Sequence, residues 1–400
     1  MKILLLAPHP FYQDRGTPIA VDLLIKTLSQ RGDEIDVLTY GEGEDVTYPH
    51  VTIRRTPGFI RGIRPGFSLK KGLSDIMLAG IALGMVVRKR YDMVHAVEES
   101  AFIAMLLRVL FRLPYVYDMD SSLAQQMVEK MPYLKPLAPL LRFAEGCAVR
   151  RSTAVVPVCQ ALADIARSYD RQKKMCLLHD VVHTGEMLPE PTVENLRDYT
   201  GATGLILLYV GNLEPYQGID LLLESFVRTH QGMDVTSAQL VIIGGVQADM
   251  VTYRAKSEQL GIAAAVHFLG PRPLRHLSGY LRQADILLSP RIKGNNTPMK
   301  IYAYLQSGKP VLATAIYSHT QVLDASIAQL AEPTPGTFAA ALTRLINDPH
   351  LRQTLGAAGQ KRVQETYSYE AYKHNLCTLY SELETGSSSK KQISLVGEGR

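Results

Sequence analysis

From Leu287 to Ile316 the chain reads LLSPRIKGNNTPMKIYAYLQSGKPVLATAI, and no other run narrows the choice of folds as far. A short apolar stretch ends in a polar, glycine-bearing loop. A helical segment follows from Pro298, Gly308-Lys309-Pro310 stops it, and a second apolar stretch begins. This is a βαβ unit, whose parallel strands bury both faces. Its polar residues gather in the loop before the helix, where unpartnered backbone N–H groups favour an anion. A second unit of this kind opens the chain. Ile3 to Ala7 reads as a strand, Pro8 to Gly16 as a loop, Thr17 as an N-cap and Pro18 as the first helical residue. Val21, Leu24 and Leu28 then share one helical face, and Gly32 ends the helix. Two such units suggest an enzyme that closes two domains over a charged nucleotide.

Strands recur at Ile35 to Tyr40, Val51 to Arg54, Met93 to Val97, Tyr115 to Met119 and Ala154 to Val158, with a seventh before His179. A new series starts at Leu205 to Val210 and runs through Leu240 to Ile243, Val266 to Leu269, Ile286 to Leu288, Val311 to Thr314 and Ile327 to Leu330. Strands alternating with helices predict two consecutive doubly wound α/β units. The first domain spans 1–190 and the second 200–366, joined near Glu186 to Thr200, where Pro189 and Pro191 loosen the pattern. A final helix over 368–384 packs back on the first domain, and 385–400 reads as a mobile tail. At 400 residues two domains are the natural expectation.

Several classes drop out on composition. No window supplies the ~20 apolar residues of a membrane span, and MKILLLAPHP reads as a strand, not a leader. Cys147, Cys159, Cys176 and Cys377 are scattered, so disulfides and a zinc site are not expected, and a reducing cytosol is. The net charge is only +5, but basic residues bunch from Arg54 to Arg90 among apolar ones. That run suits the anionic inner face of the cytoplasmic membrane, or it is a solvated helix face. Nucleic acid is not an expected partner, since Trp is absent and no aromatic platform accompanies the basic residues.

Four constellations could carry chemistry. In Asp14-Arg15-Gly16-Thr17-Pro18, Gly16 admits close backbone approach and Thr17 begins a helix dipole, together a phosphate site or merely a turn and cap. From Tyr209 to Asp220, a strand runs into Gly211 and Gly218 opens a helix, at the carboxyl end where open sheets hold ligands. In the run first described, the loop before the helix gathers Asn295, Asn296 and Thr297, with Lys300 in the helix's first turn, where an anion could be held. Lys300 reads equally as a surface lysine. Last, Asp118 and Asp120 lie two apart at the end of a strand, after Glu98 and Glu99. They are candidate acceptor-site carboxylates that orient the attacking oxygen; the alternatives are helix capping by Asp120 or Ser121 and a divalent metal. His179-Asp180 follows, with a structural histidine as the commoner fate.

The stretches LLLAPHPFYQDRGTPIAVDLLIKTLSQRGDEIDVLTY, LLYVGNLEPYQGIDLLLESF and SPRIKGNNTPMKIYAYLQSGKPVLAT, in this order, resemble the family-4 retaining glycosyltransferases, from about Met1 to Leu383. The resemblance implies a GT-B fold, two Rossmann-like domains facing across a cleft. It implies transfer of a sugar from a nucleotide-sugar donor to a glycan or lipid-linked acceptor with retention, without metal or other cofactor. Donor contacts are then expected from Gly16, Thr17, Gly211, Asn212, Gln217, Asn295, Asn296, Thr297 and Lys300, and catalytic roles from Asp118 and Asp120.

This chain departs from the family pattern. The two motif glutamates fall at Asn295 and Ala303, the diphosphate-binding Arg and Lys at Asn212 and Gln217, and a first-domain histidine at Asp120. Each hydrogen bond to a charged group is worth ~1.5–3 kcal/mol, so donor affinity needs replacements. Lys300, Lys293, Arg291 and Arg15 are the candidates. The alternatives are a non-catalytic GT-B protein that binds a glycan or partner, and a nucleotide-sugar epimerase.

Overall fold

The computed structural model of this chain describes residues 1–13, 16–44, 46–58, 60, 62–63, 68–181, 193–230 and 238–397, with backbone alone for 387–397. The chain divides into two compact units, Met1–His179 with Tyr372–Arg400, and Asp180–Ala371.

The first unit runs β1 (Lys2–Ala7), α1 (Gly16–Arg31), β2 (Glu34–Thr39), β3 (Val51–Arg55), α2 (Leu69–Arg88), β4 (Met93–Val97), α3 (Ser100–Phe111), β5 (Tyr115–Met119), α4 (Leu123–Lys130), α5 (Ala138–Arg151), β6 (Ala154–Pro157) and α6 (Gln160–Tyr169). Its sheet is parallel, in the order β3-β2-β1-β4-β5-β6. The second unit runs α7 (Leu196–Thr200), β7 (Leu205–Val210), α8 (Ile219–His230), β8 (Ala238–Ile243), α9 (Gln247–Gln259), β9 (Val266–Gly270), α10 (Leu277–Gln283), β10 (Ile286–Ser289), α11 (Lys300–Gln306), β11 (Val311–Thr314), α12 (Tyr317–Thr320), β12 (Gln329–Ala331), α13 (Pro335–Asn347) and α14 (Pro349–Thr366). Its sheet, also parallel, is ordered β12-β11-β10-β7-β8-β9. The last helix, α15 (Tyr369–Gly397), lies mostly in the first unit.

Parallel strands flanked by helices must bury both faces, hence the unbroken apolar runs. Ile3 through Ala7 and Ile286 through Leu288 are fully buried. Both sheets are doubly wound α/β, as expected. In each, the strand order reverses beside the first strand, between β1 and β4 and between β7 and β10. The loops leaving those strands diverge and open a crevice at their carboxyl ends.

Two expectations need correction. The seventh strand before His179 is reduced to an isolated bridge of Met175 with Val155. Its neighbour β6 ends on Pro157, which has no N–H to continue the ladder. Beyond Leu383 the chain does not leave the helix, because α15 continues to Gly397. A formed helix propagates at little cost through good helix formers such as Lys390, Lys391 and Gln392. Part of the basic run is paired within the fold. Lys71 pairs with Glu99 at 2.5 Å, Lys89 pairs with Glu34 and Asp36 at 2.7 Å each, and Arg55 braces the carbonyls of Phe11, Glu42 and Glu44. Arg61 and Arg64, like Arg15 and residues 186–192 of the expected linker, fall outside the described residues. Among the described residues no helix is long and apolar enough to cross a membrane.

Candidate active site

In the second unit the loops after β7 and β10 flank the reversal of strand order. Strand β7 leads directly into Gly211, whose φ is 151° and whose N–H donates to the Ile243 carbonyl at 2.9 Å. A Cβ there would lie 3.0 Å from Tyr209 Oη and 3.2 Å from Lys300 Nζ, so glycine is what lets the loop pass. Tyr209 Oη donates to the Asn212 carbonyl at 2.6 Å and ties the loop to its strand. Asn212 is exposed, and its side-chain oxygen accepts from the Glu214 N–H at 3.4 Å. A 3₁₀ turn, Pro215–Gln217, buries Gln217 and ends at Gly218, φ 74°, directly before α8.

Across the reversal, Arg291 folds back on its own loop. Its Nε donates to the Lys293 carbonyl at 2.6 Å and Nη1 to the Asn296 carbonyl at 3.1 Å, with the guanidinium 5.2 Å from the Tyr216 ring centroid. Lys293 and Asn295 are exposed and Asn296 is half-buried. Thr297 is only 6% exposed, and its hydroxyl has no hydrogen-bond partner among the described residues. The helix expected from Pro298 begins two residues later, at Lys300, and has seven residues. Ile301 and Tyr302 N–H groups instead donate to the Pro298 and Met299 carbonyls, a tighter 3₁₀-type start that leaves no role for a side-chain cap from Asn296 or Thr297.

Lys300 joins the two loops. Its ammonium sits 3.9 Å from the Tyr209 ring centroid and 3.3 Å from Gln217 Oε1, with no carboxylate among its partners in the described residues. Burial holds its pKa well below the ordinary lysine value, and the Arg291 charge acts in the same direction. The side chain as a whole is half-buried, with its ammonium turned in against the Tyr209 ring and buried Gln217, which is not the setting of a surface lysine. Gln217 stands where the family resemblance implies a cation, and Lys300 brings an ammonium to that same side chain from the opposite loop.

Beneath this loop lies a group the sequence did not single out. His319 is fully buried, with Nε2 2.9 Å from Ser289 Oγ and Nδ1 2.9 Å from the Thr314 carbonyl. A carbonyl only accepts, so Nδ1 carries the proton and Ser289 donates to Nε2. Burial pushes the His319 pKa down to about 3; the Thr314 bond opposes this, and the Lys300 and Arg291 charges add to it. Thr314 Oγ1 in turn donates to the Arg291 carbonyl, which links the histidine to the loop. A histidine five residues past a buried strand was the signal available.

In the first unit, α1 already begins at Gly16, so Thr17 is its second residue and not its cap. Gly16 is exposed, and an added Cβ would meet nothing within 4 Å. Gly16→Ala is thus expected to hold or slightly raise stability, since alanine favours the helix. Any loss of donor affinity, read by titration calorimetry, then reports on a ligand alone; wild-type affinity would remove Gly16 from the donor site.

The structure separates the two aspartates. Asp118 Oδ2 lies 3.0 Å from Nε2 of buried His95, whose Nδ1 lies 2.6 Å from the Tyr380 hydroxyl of α15. Its carboxylate is committed to orienting a core histidine. Asp120 lies past the end of β5 and is half-buried. Helix α4 is capped by Ser122, not by Asp120 or Ser121. Beside them, Ser121 Oγ donates to Glu98 Oε1 at 3.4 Å, and Glu98 has a φ of 49° at the reversal point after β4. Burial, then the adjacent Glu99 charge, holds the Glu98 pKa well above the carboxylate range. His179 is half-buried, and burial pushes its pKa down to about 4. Among the described residues no three His, Cys, Asp or Glu side chains gather as a metal site. Tyr380→Phe is expected to cost about 1–2 kcal/mol in urea unfolding, because it strands His95 Nδ1 in the core; an unchanged midpoint would show that the bond carries no weight.

Two family models match this chain: glycosyl transferase 4-like domain over residues 15–179, and glycosyl transferases group 1 over residues 197–362. The chain belongs to the family-4-like glycosyltransferases of GT-B fold. The D-inositol 3-phosphate glycosyltransferase of Corynebacterium efficiens is 25% identical over 383 residues, covering 90% of this glycosyltransferase and 88% of its relative. That of Acidothermus cellulolyticus is 32% identical over 161 residues, 38% of this chain and 35% of its own length. Among solved structures, sucrose-phosphate synthase of Thermosynechococcus elongatus superposes with a TM-score of 0.78 at 20% identity, covering 96% of this chain and 99% of the other. Anabaena HepE in complex with UDP-glucose gives 0.71 at 17% identity, covering 96% and 100%. This glycosyltransferase is therefore an enzyme that transfers sugars.

Proposed function

We propose that this glycosyltransferase moves a sugar from a nucleotide-sugar donor to a hydroxyl of a glycan or lipid-linked acceptor, with retention at the anomeric carbon and without metal or other cofactor. The observation that carries the reading is Lys300, a buried ammonium with no carboxylate partner among the described residues, at the reversal point of the second sheet. Charge grows on the leaving diphosphate as the glycosidic bond breaks, and a fixed cation out of water stabilises that growth best. Gly211 keeps the approach open, and Gln217 steadies the ammonium. The unpartnered Thr297 hydroxyl, with Asn212, Asn295 and Asn296, supplies hydrogen bonds to the rest of the donor. On the acceptor side Asp120 orients the attacking hydroxyl, and Asp118 acts through His95.

HepE is solved with UDP-glucose and the Corynebacterium relatives are named for D-inositol 3-phosphate, so these are the first donor and acceptor to try. Product mass spectrometry, with the anomeric coupling read by NMR, tests the proposal across nucleoside diphosphate sugars and acceptors. A retained linkage from one donor class, unaffected by a chelator, is the expected result. The reading fails if no nucleotide sugar yields product or raises the melting temperature. Saturation at a hundredfold excess over Kd would add ~2.7 kcal/mol.

A further inference from the structure

Of the twenty residues of α2, only Ser74, Leu78 and Ala82 are buried, one line along the helix. On another line Leu69, Leu73, Ile76, Leu83 and Val87 are exposed, Leu69 at 96% and Ile76 at 71%. Their spacing by threes and fours, with Gly80 in the gap, makes one apolar stripe along a helix about 30 Å long. Helix α3 packs against both α2 and α5 and exposes Leu106, Val109 and Leu110. Helix α5 exposes Leu140 and Phe143, and the 3₁₀ turn before it, Pro132–Leu137, exposes Tyr133. Three adjacent helices thus present apolar side chains outward, which is more than scattered surface residues account for.

Charge selects what covers them. Every exposed charged side chain on α2, α3, the 3₁₀ turn and α5 is basic: Lys70, Arg88, Lys135, Arg142, Arg150 and Arg151. The acidic residues of these elements are held inside. Tyr40 hydrogen-bonds Asp75, and Ser122 and Tyr169 hydrogen-bond Glu145. Two copies of such a face would set like charges against each other. An anionic bilayer meets both demands, because apolar side chains enter the acyl boundary while Lys and Arg reach the headgroup phosphates.

We propose that the face formed by α2, α3 and α5 docks on a phospholipid bilayer containing anionic lipid. Flotation of the full chain with vesicles of phosphatidylcholine, with and without phosphatidylglycerol, tests it. The chain is expected to float with the anionic vesicles at low salt, and to be released at high salt. Ile76→Ser with Phe143→Ser is expected to lower the partition roughly tenfold. Arg88→Gln with Arg142→Gln is expected to lower it about fivefold for each charge removed. All four positions are exposed, so circular dichroism and the melting midpoint should not move. Failure of the wild type to float with anionic vesicles, or equal flotation of all variants, overturns the proposal. A dimer seen by light scattering and abolished by Ile76→Ser with Phe143→Ser would assign the face to a second copy instead and overturn it too.

Discussion

Lys300→Met is expected to lower kcat/KM for sugar transfer by about two to three orders of magnitude, with the folding midpoint unchanged or raised. The two effects have one cause. The Lys300 ammonium is buried against Tyr209 with one neutral oxygen, Gln217 Oε1, as its hydrogen-bond partner. The folded protein therefore disfavours the charged form, and burial holds the pKa below its unfolded value. Between those two pKa values the unfolded chain binds the proton more readily. Stability consequently rises with pH, and the charge is a net cost at neutral pH. Methionine keeps nearly the same length and volume without that charge, so the protein need not lose stability. What it loses is the cation that meets the leaving diphosphate. Steady-state kinetics and urea unfolding on the same preparation decide the matter. Wild-type kcat/KM would remove Lys300 from the reaction. A parallel fall in stability and activity would make it a strut between the two loops. The opposite sign of the two changes is what separates a cation kept for a ligand from one kept for the fold.

How much of this was legible depends on how far apart the contributing residues lie. The strands of both sheets read well because β1, β7 and β10 are buried on both faces, so their apolar runs are unbroken. Gly211 and Gly218 were legible for a similar reason: a glycine where a strand ends points to a tight passage, and a Cβ at Gly218 would lie 2.0 Å from the Pro290 carbonyl oxygen. Lys300 could be named as a candidate, but its burial could not be read, because the ring beneath it belongs to Tyr209 on another strand. Asp118 shows the same limit in reverse. Alternation along β5 suggested a free carboxylate, yet its partner His95 is fixed by Tyr380, 285 residues further along the chain. Which cations of the basic run are paired could not be read either, because Lys71 and Lys89 find carboxylates from other elements. The exposed stripe of α2 was hidden by its own periodicity. The helix turns Ser74 and Ala82 inward with Leu78 and leaves the larger Leu69, Ile76 and Val87 outside, a choice that volume at the sheet makes and pattern does not.

Below pH 6.5 the wild type should lose stability relative to His319→Gln by about 1.36 kcal/mol per pH unit. His319 is fully buried between Ser289 and Thr314, and burial holds its folded pKa at about 3, against the ordinary histidine value of 6.5. In that window the unfolded chain takes up a proton that the native state refuses. The stabilisation is complete above the unfolded value and is lost as pH falls toward the folded one, about 4–5 kcal/mol in all. Glutamine can still accept from Ser289 or donate to Thr314, but it does not titrate. The variant will be weaker at neutral pH, because one amide cannot replace both ring contacts, and its curve should then converge on the wild type's as acid is added. Urea unfolding at pH 7, 6 and 5 reads the slope directly, with the remaining histidines common to both proteins. Parallel pH dependences would mean that His319 is protonated in the folded protein or that solvent reaches it. Convergence would place a neutral imidazole under the Arg291 loop throughout the physiological range. The imidazole would then add no charge of its own to those of Arg291, Lys293 and Lys300 at that end of the sheet.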